Sequence, residues 1–162
     1  MNDLWDIWTL VRFLHVLGVA VWLGGMIFLG VVAVPIARAT EGPNGGRALI
    51  TRVGQRFGML GGIAWVTILV SGGLLLQHRN VDMDKLTSTD YGHRLLAKII
   101  LLLLMGFAVV VHSMWQGPKV RQLEEAEDAD GVKRMKMIGG MLDAFVLVAT
   151  LVALWLATSL IP

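Results

Sequence analysis

The chain has 162 residues, of which 56% are hydrophobic, with a mean hydropathy of +0.69 and a formal net charge of +2. This composition is too apolar for a soluble domain of ordinary surface, and the small charge forms no basic patch that would indicate nucleic acid as a partner. The sequence contains no cysteine, which excludes disulfides, iron–sulfur clusters and thiolate metal sites.

Four apolar runs, near 8–36, 57–77, 94–115 and 137–161, occupy most of the chain. Each is long enough to cross the hydrocarbon core of a bilayer, which takes about 20 helical residues. Helices satisfy their own backbone hydrogen bonds in lipid, whereas open strands do not. The sequence therefore predicts an all-α fold, with residues 1–162 forming one integral membrane domain, a bundle of four transmembrane helices in the lipid bilayer.

The first helix contains the segment FLHVLGVAVWLGGM, which places His15 at membrane depth. Arg12 lies about one turn before His15 on the same helix. Glycines in this segment let another helix or a flat ligand come close to the backbone. These glycines are Gly18, Gly24 and Gly25.

The segments between the apolar runs carry the turn and charge signals. Pro35 is expected to end helix 1, and Pro118 is expected to end helix 3. Residues 42–46 are predicted to form a glycine-rich loop, and residues 47–57 to extend helix 2 beyond the membrane. The charged stretch 119–136 is predicted to be a solvated helical excursion or a loop before helix 4.

The polar loop between helices 2 and 3 is flanked by His78 and His93. It also carries Asp82, Asp84 and Asp90. Imidazole and carboxylate groups together can bind a cation such as copper, although the spacing here matches no strict metal motif. A copper site that uses His78 and His93 is therefore one hypothesis for this loop.

Lysine and arginine are concentrated on the connections between helices 1 and 2 and between helices 3 and 4. The residues there are Arg38, Arg47, Arg52, Arg56, Lys119, Arg121, Lys133, Arg134 and Lys136. The opposite side holds Arg12, Arg79, Lys85 and Arg94. Because cytoplasmic connections carry the excess of positive charge, both termini are predicted to lie outside. The expected location is the bacterial inner membrane.

Two polar residues at similar predicted depth on different helices indicate a ligand between them. His15 lies roughly 10 Å below the outer start of helix 1, and Lys98 lies roughly 6–8 Å below the start of helix 3. Neutral imidazole is a good ligand for haem iron, so haem b bound by His15 and Lys98 is the leading hypothesis. Arg12, Arg94 and Tyr91 lie near the same rim, where arginine can pair with haem propionates. The structural alternatives are an interhelical hydrogen bond for His15 and snorkelling for Lys98.

His112 and Asp143 are the other polar residues at membrane depth, near the cytoplasmic ends of helices 3 and 4. A buried carboxylate needs a partner, so Asp143 is expected to pair with His112 or with Arg56. The functional hypotheses for this pair are an inner proton relay and a second ligand site. The structural alternative is a clasp that joins the two helices.

LHVLGVAVWLGGM in helix 1 and YGHRLLAKIILLLLM in helix 3 resemble the CopD family of copper-resistance membrane domains. The same segments are similar to those of the HemJ-type protoporphyrinogen oxidases, which are small four-helix membrane proteins. In that group a histidine of helix 1 and a lysine of helix 3 are associated with haem b. The resemblance assigns these roles to His15 and Lys98.

Four functions are hypotheses at this stage. The first is haem-b-dependent electron transfer or other redox chemistry. The second is CopD-like copper transport or resistance, with His15, His78 and His93 as ligands. The third is a HemJ-like oxidoreductase that acts on porphyrinogens. The fourth is an accessory role in a homo-oligomer or a larger membrane complex, assembled through the glycine-rich faces.

Overall fold

The computed structural model describes residues 6–40, 45–79 and 86–158, and these residues form helices and short turns with no strand among them. Four helices are long and apolar enough to cross a membrane. They are α1 (Ile7–Ala39), α2 (Gly45–His78), α3 (Asp90–Glu125) and α4 (Ala129–Thr158). The predicted all-α, four-helix membrane fold is therefore confirmed.

The chain divides into two compact units, Met1–Val81 and Asp82–Pro162. In the first unit α1 packs against α2, and in the second α3 packs against α4. Each unit is therefore a helical hairpin, called here the first hairpin and the second hairpin.

Large apolar side chains cover the outer surfaces of both hairpins. Phe13, Val66, Phe107 and Trp155 are each more than half exposed. Only 17% to 22% of the most apolar window of each helix is buried within the protein. Contiguous apolar surface on this scale favours aggregation in water, whereas in a bilayer it contacts lipid. The environment that fits these surfaces is a lipid bilayer.

The prediction that Pro35 and Pro118 end their helices is wrong. Each proline lies within a continuous helix, just after a segment of wider π-helical turns, at Phe28–Ala33 and at His112–Gln116. Proline lacks a backbone N–H and its ring clashes with the carbonyl group four residues earlier. A π turn realigns that carbonyl, so both helices continue past the proline.

The charged stretch after Pro118 is helical apart from a short turn. α3 continues to Glu125, and α4 begins at Ala129, so the predicted excursion is the junction of two helices. In the turn, Asp128 Oδ1 accepts a hydrogen bond of 2.8 Å from the Gly131 N–H, which caps the start of α4. Lys136 Nζ lies 3.2 Å from Glu124 Oε1 and joins the two helices by an ion pair.

Other predicted boundaries differ by a few residues. The predicted helical structure of residues 47–57 is confirmed, because α2 begins at Gly45, while the position of this segment relative to the membrane stays a prediction. This start places the last two residues of the predicted loop 42–46 in the helix, while residues 42–44 lie outside the described residues. α3 begins at Asp90, because Thr89 caps it by accepting a hydrogen bond of 3.0 Å from the Gly92 N–H.

Close packing of α1 on α2 depends on one glycine and one tryptophan. A Cβ at Gly18 would lie 3.0 Å from Ile68, so glycine permits the close approach of the two backbones. Trp22 is buried against Trp65, with 5.0 Å between the ring centroids. These contacts fix how α1 lies along α2, and so position the polar residues between them.

Candidate functional site

His15 lies between the helices of the first hairpin, bonded to a serine of α2. Its Nδ1 is 3.0 Å from Ser71 Oγ, and Ser71 is only 4% exposed. Ser71 Oγ also donates to the carbonyl oxygen of Thr67. A hydroxyl group has one proton to donate, so Ser71 Oγ accepts from the Nδ1–H of His15. The imidazole lone pair is then on Nε2, the nitrogen that can bind a metal in this tautomer.

Gly72 provides the space for the His15 ring. A Cβ at Gly72 would lie 3.2 Å from His15 Cε1, which is tighter than ordinary van der Waals contact. At the neighbouring Gly73 a Cβ would meet no described atom within 4 Å. Ser71 therefore holds the His15 imidazole by a hydrogen bond, and the backbone at Gly72 lies in close contact with the ring.

The two histidines that flank the polar loop have different local roles. The His78 ring stacks on Trp8, with 3.8 Å between centroids and 15° between the planes. This contact lies at the end of the first hairpin where α1 begins and α2 ends. His93 Nε2 lies 2.9 Å from the Thr87 carbonyl oxygen, and its protonated nitrogen donates to that oxygen. Asp82 and Asp84 lie outside the described residues. A copper site at this loop stays a prediction.

The predicted rim of the haem site is distributed over both hairpins. Arg12 is exposed on α1, whereas Tyr91 and Arg94 are exposed near the start of α3. Lys98 is half-buried on α3. Because His15 belongs to the first hairpin and Lys98 to the second, a cavity shared by the two residues stays a prediction.

His112 and Asp143 face each other across the second hairpin. His112 Nδ1 lies 3.7 Å from Asp143 Oδ1, and both side chains remain partly exposed. His112 is the first residue of the π segment of α3. Arg56, the other predicted partner of Asp143, is an exposed residue of α2 in the first hairpin.

Gln116 is a polar residue of the second hairpin that sequence reasoning did not select. It is 7% exposed, and its Nε2 donates a hydrogen bond of 3.0 Å to the Met135 carbonyl oxygen on α4. Its amide lies against Gly139, where a Cβ would be 2.7 Å from Nε2. The signals in the sequence were a glutamine four residues after His112 and a Gly-Gly pair at the start of the fourth apolar run.

Ser71 was missed for a different reason. A serine within an apolar helix usually bonds to its own backbone, and its contact with His15 spans 56 positions in the chain. Across residues 6–40, 45–79 and 86–158, no group of three His, Asp or Glu side chains comes together as a ready-made metal site. Each hairpin instead places one imidazole beside one polar group of the partner helix.

Together the fold and these polar residues define a multi-pass α-helical membrane protein with histidines held inside its hairpins. Residues 51–158 match the family model of CopD, copper resistance protein D. The match covers 108 of the 162 residues (51 to 158), and the chain belongs to this family. The helix 1 segment that contains His15 precedes the matched range, whereas the helix 3 segment lies within it. No curated protein and no solved structure matches the chain.

Proposed function

We propose that this protein moves copper ions across the bacterial inner membrane. The observation that carries the proposal is the match of residues 51–158 to the copper resistance protein D family. Copper is the cargo in this proposal, and imidazole is a suitable ligand for it.

His15 is the proposed copper ligand of the first hairpin. Metal-binding histidines commonly use one ring nitrogen for the metal and the other for a hydrogen bond that fixes the ring. The bond between His15 Nδ1 and Ser71 Oγ supplies that second contact and directs coordination to Nε2. The buried serine thereby orients the imidazole before any ion arrives.

His78 and His93 are the proposed ligands at the outer surface. They flank the polar loop, and the distribution of lysine and arginine favours an outer position for this loop. Copper binding at His93 would replace its hydrogen bond to the Thr87 carbonyl group, and binding at His78 would use the ring edge while the ring face stays on Trp8.

Copper accumulation in cells tests the role of His15. A copper-sensitive bacterial strain that makes the wild-type protein is expected to differ from the empty-vector strain in cell-associated copper and in growth at raised copper. His15→Ala should reduce the difference by roughly tenfold or more, because a ligand is lost. Val16→Ala is the matched control, since Val16 is 65% exposed. If His15→Ala matches an active wild type, His15 is not a ligand.

Haem b is a second candidate because the same hydrogen bond from His15 to Ser71 would also orient an axial ligand of haem iron. His15 fits that role by its chemistry, with Lys98 as the predicted opposite ligand. Bound haem would supply one-electron redox chemistry. The family match supports copper rather than haem. A Soret band in the purified wild-type protein that His15→Ala abolishes would favour the haem hypothesis.

A further inference from the structure

His112 and Asp143 lie at the same level of the second hairpin. Lys119 follows His112 by seven residues on α3, and Lys136 precedes Asp143 by seven residues on α4. Each separation corresponds to about 10 Å of helix. The pair therefore lies about 10 Å inward from the last lysine on each helix. From Asp143 to the end of α4, no further charged residue occurs.

The geometry of this pair is not that of a hydrogen bond. The distance from His112 Nδ1 to Asp143 Oδ1 is 3.7 Å, beyond the usual range of about 2.7–3.2 Å. Within the described structure, His112 Nδ1 is buried and has no hydrogen-bond partner. Two donor atoms that each lie about 2 Å from a shared metal ion are separated by roughly 3–4 Å. The observed distance fits an ion held between the two atoms.

Gln116 already joins α3 to α4 near this level. The Gln116 side chain is buried, lies about one turn from His112, and donates a hydrogen bond to the Met135 carbonyl oxygen. The contact between His112 and Asp143 adds no hydrogen bond between the two helices. The His112 side chain is 40% exposed and the Asp143 side chain is 69% exposed. A helix clasp therefore explains Gln116 but not His112 and Asp143.

We propose that His112 and Asp143 form a site that binds one divalent copper ion. The identity of the metal rests on the proposed function. Nitrogen and oxygen donors of this kind suit divalent copper. Two protein ligands leave positions open for water, as a site on a transport route requires.

Calorimetric titration of the purified full-length protein in detergent with copper(II) chloride tests this site. The readout is the number of copper ions bound per chain. The wild-type protein is expected to bind about one ion more than a variant that lacks either ligand.

Asp143→Asn should remove about one copper equivalent, because a carboxylate ligand is lost. His112→Gln supplies the same test with a different side chain, should Asp143→Asn fail to fold. Ser113→Ala is the matched control, because Ser113 is exposed and bonds only to carbonyl groups of its own helix. Equal numbers of bound copper ions in the wild-type protein and in both variants would overturn this site and leave copper transport standing. A wild-type protein that binds no copper would overturn both proposals.

Discussion

At the scale of single residues, function depends on how each imidazole is held. His15 is bonded to Ser71 and touches Gly72, whereas His112 Nδ1 has no hydrogen-bond partner in the described residues. The first arrangement fixes a ring for coordination, and the second leaves a nitrogen that a metal ion can occupy. The two hairpins therefore present histidines of different character.

Removal of the Ser71 hydroxyl is expected to destabilise the first hairpin. Ser71→Ala leaves His15 Nδ1 without its partner, and an unsatisfied, partly buried donor costs about 1–3 kcal/mol. Thr67→Ala is the matched control, because the Thr67 hydroxyl bonds only to a carbonyl group of its own helix, and its loss should change stability by less than about 0.5 kcal/mol. Denaturant unfolding in detergent measures both values, and equal effects would contradict the proposed role of the serine.

The space beside His15 gives a second residue-scale prediction. Gly72→Ala places a methyl group 3.2 Å from His15 Cε1, so the ring must shift by a few tenths of an ångström. The difference in growth at raised copper between cells with and without the protein should therefore be smaller with this variant. Gly73→Ala meets no described atom within 4 Å and should behave as wild type. Equal copper tolerance in the two variants would show that the ring position does not matter for function.

At the scale of helices, the second hairpin depends on the small residue that accommodates Gln116. Gly139→Ala would place a Cβ 2.7 Å from Gln116 Nε2 and displace the amide from the Met135 carbonyl oxygen. We expect a loss of about 1–3 kcal/mol in unfolding free energy. Gly140→Ala is the control, because its Cβ would meet no described atom within 4 Å. A Gly139→Ala protein as stable as the Gly140→Ala protein would disprove the role of Gln116 in joining α3 to α4.

Helix length shows what could be predicted from the sequence. The apolar runs predicted all four helices, because about 20 consecutive apolar residues in a chain without cysteine have few other structures open to them. The positions of the helix ends were less predictable. Pro35 and Pro118 break an ideal α-helix, but one wider turn before each accommodates the ring. That adjustment depends on the packing of the whole helix, which local sequence signals do not contain.

The candidate site was predictable only in part, for a related reason. His112 and Asp143 were expected to pair because charge at membrane depth needs compensation, and the structure brings them within 3.7 Å. The contact between His15 and Ser71 was not expected, because a serine in an apolar helix carries no sign of its distant partner. Polar side chains that bond to their own backbone and those that bond across helices look the same in a sequence.

At the scale of the whole molecule, orientation in the membrane is the next prediction. α1 has 33 residues and α3 has 36, so each is about 50 Å long, whereas the hydrocarbon core is about 30 Å thick. The helix ends that carry most of the lysine and arginine are therefore expected to project into the cytoplasm. A reporter fused to the C-terminus should behave as external and one inserted near Gly131 as cytoplasmic. The reverse pattern would contradict this orientation.

Copper uptake by proteoliposomes is the decisive measurement for the proposed function. The purified wild-type protein is reconstituted into vesicles that contain a copper-sensitive dye, and copper is added outside. We expect protein-dependent movement of copper into the vesicles that exceeds the leak of protein-free vesicles and falls with His15→Ala but not with Val16→Ala. Copper movement no faster than in protein-free vesicles, with correctly folded protein present, would contradict copper transport.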